Sequence, residues 1–143
     1  YPLRRQRQMC IRDRATADQS ERISIEAIDL GELGDWGYPT SYRHRHRFRD
    51  YVHSPWKHGA VKPDLVLIDG RFRVACFLHS LLAAAPGTPI LFDDYTNRPH
   101  YHLVEEFCPI SQTEGRQALF RVPAELDREA IGRELEGFLM VRD

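Results

Sequence analysis

The chain has 143 residues, 42% of them hydrophobic and 29% charged, with a net charge of -1. That length builds one domain around one sizeable core, and the composition excludes collagen-like, coiled-coil and disordered chains. No apolar run approaches the roughly 20 residues of a membrane helix. The near-neutral charge offers no general case for nucleic acid or an anionic membrane as partner. Cys10, Cys76 and Cys108 form no paired framework and no CxxC, which points to a reducing, cytoplasmic compartment.

The first fourteen residues, YPLRRQRQMCIRDR, hold five arginines and no amphipathic period. Met9-Cys10-Ile11-Arg12-Asp13 resembles the translation of a sequencing-library adaptor, ATG TGT ATA AGA GAC. Residues 1–14 are therefore read as a non-native scar of a metagenomic gene fragment and set apart from the fold; the alternative is a native basic arm. Without them 15 basic residues face 20 acidic ones, a net charge of about -5. Residues 15–143 then form a partial domain, with its N-terminal part expected to be missing.

Ile23 to Ile28 alternates apolar and polar residues, the period of a strand. The segment from Gly31 to Pro63 has no clean period and reads as loops around one short helix near Tyr42 to Tyr51. Asp64 to Ile68 is a continuous apolar run, the mark of a parallel strand buried on both faces, and it stops at Asp69-Gly70. From Phe72 to Ala85, Val74, Phe77, Leu78, Leu81, Leu82 and Ala85 trace one broad helical face, which Pro86-Gly87 ends. Pro89 to Phe92 is a second buried strand ending at Asp93-Asp94, so the three elements make a right-handed βαβ crossover.

Pro99 opens a further helix, with Leu103, Val104, Phe107 and Cys108 as its buried stripe. Ile110–Thr113 and Arg116–Val122 flank Glu114-Gly115 as a late antiparallel hairpin. Asp127 caps a last helix through Phe138, with Ile131, Leu135, Phe138 and Leu139 inward. The expected fold is α/β: a Rossmann-like parallel sheet with flanking helices and a late hairpin.

Parallel strands joined by a crossover place their C-terminal ends on one edge, where ligands bind in open α/β sheets. Asp69, Asp93 and Asp94 all lie there. Neighbouring strands are about 4.8 Å apart, so these carboxylates repel unless a cation, a proton or a basic group intervenes. Mg2+ would satisfy them, with water and Asn97 completing an octahedron; the alternative is neutralisation by Arg71, Arg73 or Arg98. His100, beside the same edge, is a candidate general base. Arg43 to Arg49 interleaves arginines with His44 and His46, which helical spacing points apart. That run reads as a solvated face, with phosphate or nucleic-acid binding the lesser reading on an otherwise acidic chain. Cys76 and Cys108 read as core residues.

PDLVLIDGRFRVACFLHSLL followed by TPILFDDYTNRPHYHLVEEF resembles the C-terminal half of class I S-adenosylmethionine-dependent methyltransferases. The resemblance runs from about Ile23 to the end. It implies S-adenosylmethionine as cofactor, with Asp29, after the third strand of that fold, touching the adenine. It implies Asp64–Ile68 and Pro89–Phe92 as the fourth and fifth strands. In the cation-dependent O-methyltransferases of this fold, acids at the places of Asp69 and Asp93 or Asp94 hold magnesium, although Asn commonly stands where this chain has Asp94. The glycine-rich cofactor loop after the first strand and the ribose-binding acid after the second have no counterpart here.

The expected function is thus methyl transfer to an oxygen or nitrogen of a small molecule, possible only in an extended chain. Asp69 and His100 would be its catalytic residues. Two other classes remain open: a non-enzymatic binding module of the same fold, and a nucleotide- or sugar-phosphate-binding α/β protein. A sheet cut short would also expose an apolar edge and favour self-association.

Overall fold

The structure, a computed structural model, describes residues 23–57, 59 and 62–143; the expectation for residues 1–14 lies outside them. Among them four strands form one sheet: β1 (Val66–Ile68), β2 (Pro89–Phe92), β3 (Ile110–Glu114) and β4 (Gln117–Arg121), in the order β1-β2-β4-β3. β1 runs parallel to β2, with Ile68 opposite Phe92. β4 runs antiparallel to both β2 and β3, so the late hairpin inserts its second strand beside β2.

Among the described residues three α-helices accompany the sheet: α1 (Phe48–His53), α2 (Arg73–Ala83) and α3 (Arg128–Phe138). The helical face read from the sequence is the one buried, since Val74, Phe77, Leu78 and Leu81 are almost wholly excluded from solvent. Phe77 inserts between Phe92 and Phe120, with ring centroids 5.8 and 4.7 Å away. Asp127 caps α3 as expected, its Oδ1 accepting the Ala130 N–H at 3.0 Å, and Ile131, Leu135 and Leu139 complete the core against α2.

Four expectations need correction. Ile23 to Ile28 is not a strand: it makes no ladder, Ile23 and Ile25 stay exposed, and only Ile28 packs against the core. Alternation marks a sequence that suits a strand, but a strand exists only where a neighbour takes its hydrogen bonds. β1 is buried on one face only, with Leu65 and Leu67 56% and 59% exposed. Among the described strands it pairs with β2 alone, and one face of the run stays open.

The helix placed at Tyr42 to Tyr51 begins later. A 3-10 turn (Arg45–Arg47) leads into α1, and a second (Ser54–Trp56), carrying Pro55, follows it. His44 therefore precedes the first turn rather than sharing a helix with His46, and the two rings lie 6.1 Å apart instead of diverging.

The element opened by Pro99 is a 3-10 helix, Pro99–Glu106. Its buried residues are Tyr101 and Val104, with Phe107 partly buried. That spacing of three matches a helix with three residues per turn, and an α-helix would rotate Tyr101 and Phe107 off one face. Cys108 is buried as expected, while Leu103 is only half-buried.

Candidate functional site at the C-terminal strand edge

The parallel register brings the ends of β1 and β2 together, and the Asp93 N–H donates to the Ile68 carbonyl at 3.0 Å. Asp69, Asp93 and Asp94 consequently converge, each offering a carboxylate oxygen within 4.8 Å of the others. Asp94 holds a left-handed φ of 52°, a conformation Asp tolerates better than most residues.

Arg73, on the first turn of α2, is buried beneath these acids. Its Nε donates to the Gly70 carbonyl at 3.0 Å and its Nη1 to the Asp93 carbonyl at 2.7 Å. Its Nη2 lies 3.5 Å from Asp69 and 3.8 Å from Asp94. Arg98 and Arg116 approach Asp94 from the other side, at 3.4 and 3.3 Å. The sequence left open a cation, a proton or a basic group between the acids; the structure supplies arginines. Asp69 has its carboxyl pKa raised by desolvation and by the adjacent Asp93. Asp93 is held lower, chiefly by a 3.0 Å hydrogen bond from the Gln117 amide. Asp69 is therefore the member of the pair that takes up a proton first as the pH falls.

A cavity of about 540 Å3 opens beside this edge, along the free side of β1. Tyr51, Trp56, Leu65, Leu67 and Cys76 give it an apolar wall, and Asp69 and Arg71 give it a charged rim. The Tyr51 hydroxyl accepts the Arg71 N–H at 3.3 Å, and a Cβ on Gly70 would sit 2.6 Å from it. Position 70 is a glycine because the tyrosine occupies that space. Burial raises the pKa of the Cys76 thiol to about 12, so this cysteine is inert cavity lining rather than a nucleophile.

Among solved structures, a methyltransferase-like protein from Silicibacter pomeroyi superposes with a TM-score of 0.80. It is 32% identical in sequence, and the match covers 92% of this chain and 70% of that one. The chain belongs to this methyltransferase-like family. No protein-family model and no curated protein matches it.

In this methyltransferase-like fold the predicted site residues fall into two groups. Asp69, Asp93 and Asp94 come together as expected. His100 does not join them: its Nε2 faces the Asp143 carboxylate at 3.2 Å, and its ring is half-exposed. Asp29 takes the Gly31 N–H at 2.9 Å and pairs with Arg47 at 2.6 Å, which together hold its carboxyl below the ordinary range. It is not among the residues lining the cavity.

The arginine run is largely engaged locally, Arg47 with Asp29, Arg49 with Glu136, and Arg45 with the Tyr42 carbonyl. Sequence reading missed Tyr51, Trp56, Gln117 and Asp143, which reach the edge from separate elements and carry no local motif. No helix among the described residues is long and apolar enough to cross a membrane.

Proposed function

We propose that this chain carries the acceptor side of an S-adenosylmethionine-dependent methyltransferase that acts on an oxygen or nitrogen of a small molecule. The observation behind this reading is the cavity beside Asp69 at the C-terminal end of a parallel strand, in a methyltransferase-like fold. Open α/β sheets bind ligands at such an edge. S-adenosylmethionine, when bound, supplies a methyl group on a positively charged sulfur. The chain's own residues position the acceptor, chiefly by shape: Tyr51 and Trp56 wall the cavity, and the Asp69 carboxylate on its rim accepts a hydrogen bond from the O–H or N–H of the acceptor.

The described residues fit the cofactor in part. They offer the apolar wall and acidic rim, but no glycine-rich turn after a parallel strand to grip it. Residues 15–143 alone are accordingly expected to bind S-adenosylmethionine more weakly than micromolar. For magnesium the three carboxylates are suitable hard donors, yet the Arg73 guanidinium already balances two of them. No step is therefore assigned to a metal.

The test is a fusion of this chain with the portion of the S. pomeroyi protein it does not match. The fusion should bind S-adenosylmethionine at micromolar concentration by calorimetry and transfer radiolabelled methyl to a panel of phenols, sugars and amines. Asp69→Asn should cut transfer by roughly 100-fold while cofactor binding persists. Unchanged turnover rejects the role of Asp69, and tight binding without transfer to any acceptor favours the non-enzymatic module.

A further inference from the structure

Arg71 stands apart from the arginines around it. Arg73 and Arg98 reach the carboxylates of Asp69 or Asp94, whereas Arg71 forms no ion pair with a described residue. Its Nε is buried and has no hydrogen-bond partner. The backbone beneath this side chain is nevertheless fixed. Its N–H donates to the Tyr51 hydroxyl at 3.3 Å, and its carbonyl accepts the Cys76 thiol at 3.6 Å. The next residue, Phe72, is wholly buried with a left-handed φ of 55°, a conformation uncommon for a bulky side chain. The Phe72 N–H donates to the Asp143 carbonyl at 2.7 Å, so position 71 is held from both sides.

Among the described residues lining the cavity, Arg71 is the one basic side chain, and Glu26 and Asp69 are the acids. Ile28, Tyr51, Trp56, Leu65 and Leu67 line it with apolar surface, and its volume of about 540 Å3 suits a small molecule. A guanidinium group set against apolar surface loses hydration without gaining a partner, a cost that a matching anion removes. A carboxylate matches it through two parallel N–H···O bonds. Charge selects between carboxylate and phosphate. One guanidinium balances one negative charge, whereas a phosphate monoester carries about -1.5 to -2 at pH 7 and would meet Glu26 and Asp69 as well.

We propose that Arg71 determines the specificity of the cavity, and that its ligand is a small monocarboxylate with an apolar or aromatic body and a hydroxyl or amine. This deepens the methyltransferase reading, and rests on it for the hydroxyl or amine as methyl acceptor. Arg71 takes the carboxylate, and Tyr51 and Trp56 take the body. Asp69, two residues away on the same rim, accepts a hydrogen bond from the O–H or N–H. A neutral analogue keeps the apolar contact but leaves the guanidinium unpaired, and a site built around a polar partner discriminates strongly against ligands that lack it.

The experiment has two arms. In the first, without S-adenosylmethionine, Trp56 fluorescence reports binding to the full chain carrying Trp36→Phe. The probes are hydroxy- and aminobenzoates and hydroxy- and amino-alkanoates, each set against its neutral amide, with phenyl phosphate as the dianion. At least one carboxylate should bind roughly tenfold more tightly than its amide and than phenyl phosphate. Arg71→Gln should erase that preference while the amide still binds, and Arg71→Lys should restore part of it. Both variants should keep the wild-type circular dichroism, since the replaced guanidinium holds no partner in the fold. Equal binding of carboxylate and amide, a preference for phenyl phosphate, a preference that survives Arg71→Gln, or no binding of any probe at millimolar concentration overturns the proposal. In the second arm, Arg71→Gln in the fusion should raise KM for the preferred carboxylate by roughly tenfold. An unchanged KM overturns the role in acceptor recognition. A wild-type fusion that binds the carboxylate and transfers no methyl group refutes the methyltransferase reading instead, and leaves the carboxylate site standing.

Discussion

The joint between α1 and α2 should weaken in acid because of one imidazole pair. His53, at the end of α1, stacks on His79 of α2, with centroids 3.9 Å apart and ring planes 9° from parallel, and Trp56 meets His79 edge-on. Desolvation, then His53, then Arg49 depress the pKa of His79 from 6.5 to about 4. His53 is lowered as well, chiefly by burial. Two charged imidazoles cannot stack at this distance, with Arg49 and Lys57 adding positive charge and Glu136 and Asp50 only partly offsetting it.

Between pH 6.5 and 4 the unfolded chain binds a proton at His79 that the folded chain refuses. The stability contributed by the neutral ring is therefore complete above 6.5 and is lost as the pH falls toward 4. At about 1.4 kcal/mol per pH unit that window spans at most about 3 kcal/mol, and the partial hydration of the ring reduces it to about 1.5–2 kcal/mol.

The perturbation is His79→Phe, which keeps an aromatic face for His53 and removes the proton site. Urea unfolding at pH 7.5 and pH 4.5, followed by circular dichroism, measures both proteins. The wild type should lose about 1.5–2 kcal/mol more than the variant between the two conditions. Acid effects on Asp29, Asp93 and Glu136 are common to both chains and cancel in the comparison. Losses equal to within about 0.5 kcal/mol, the ordinary scatter of a surface substitution, would refute the reasoning.

Two further substitutions probe the frame. Phe77→Ala empties the space between Phe92 and Phe120 and should cost about 3–5 kcal/mol in urea unfolding; a loss below about 1 kcal/mol would mean the three-ring cluster is not the centre of the core. Gly31 holds a left-handed φ of 86°, and a Cβ there would run into the His44 ring. Gly31→Ala should lower stability by about 1–2 kcal/mol from the backbone alone. An alanine variant as stable as the wild type by thermal unfolding would show that the turn readily takes another conformation.

The cavity and the acidic edge answer different questions about this methyltransferase-like fold. The cavity lies on the open side of β1, where Leu65 and Leu67 remain exposed, and it offers a ligand mainly apolar contact. The acidic edge is electrostatically near balance, with Arg73, Arg98 and Arg116 around Asp94. Polarity at the site therefore comes from carboxylates matched by arginines, with Asp69 on the cavity rim, rather than from an uncompensated cluster of negative charge.

The sequence by itself determined whatever depends on neighbours within a few residues. The apolar period of α2, the breaker at Pro86-Gly87, the Asp127 cap, the bounds of β2 and the hairpin around Glu114-Gly115 follow from side-chain spacing and turn chemistry, which act locally. The convergence of Asp69, Asp93 and Asp94 was legible too, because two parallel strands joined by one helix leave their ends on a single edge.

Tertiary structure decided what depends on distant partners. Ile23 to Ile28 has the pattern of a strand, but its ladder needs a neighbour that pattern cannot specify. The Pro99 element became a 3-10 helix because Tyr101, Val104 and Phe107 had to reach one core face. Of the three arginines that could have neutralised the acids, the fold brought Arg73 and Arg98 to them, and Arg116 joined from the hairpin. Asp143 lies 43 positions from His100 in the sequence, and only the fold brings their side chains within 3.2 Å. Short-range propensity sets the elements, whereas burial and charge compensation across the fold set which side chains meet.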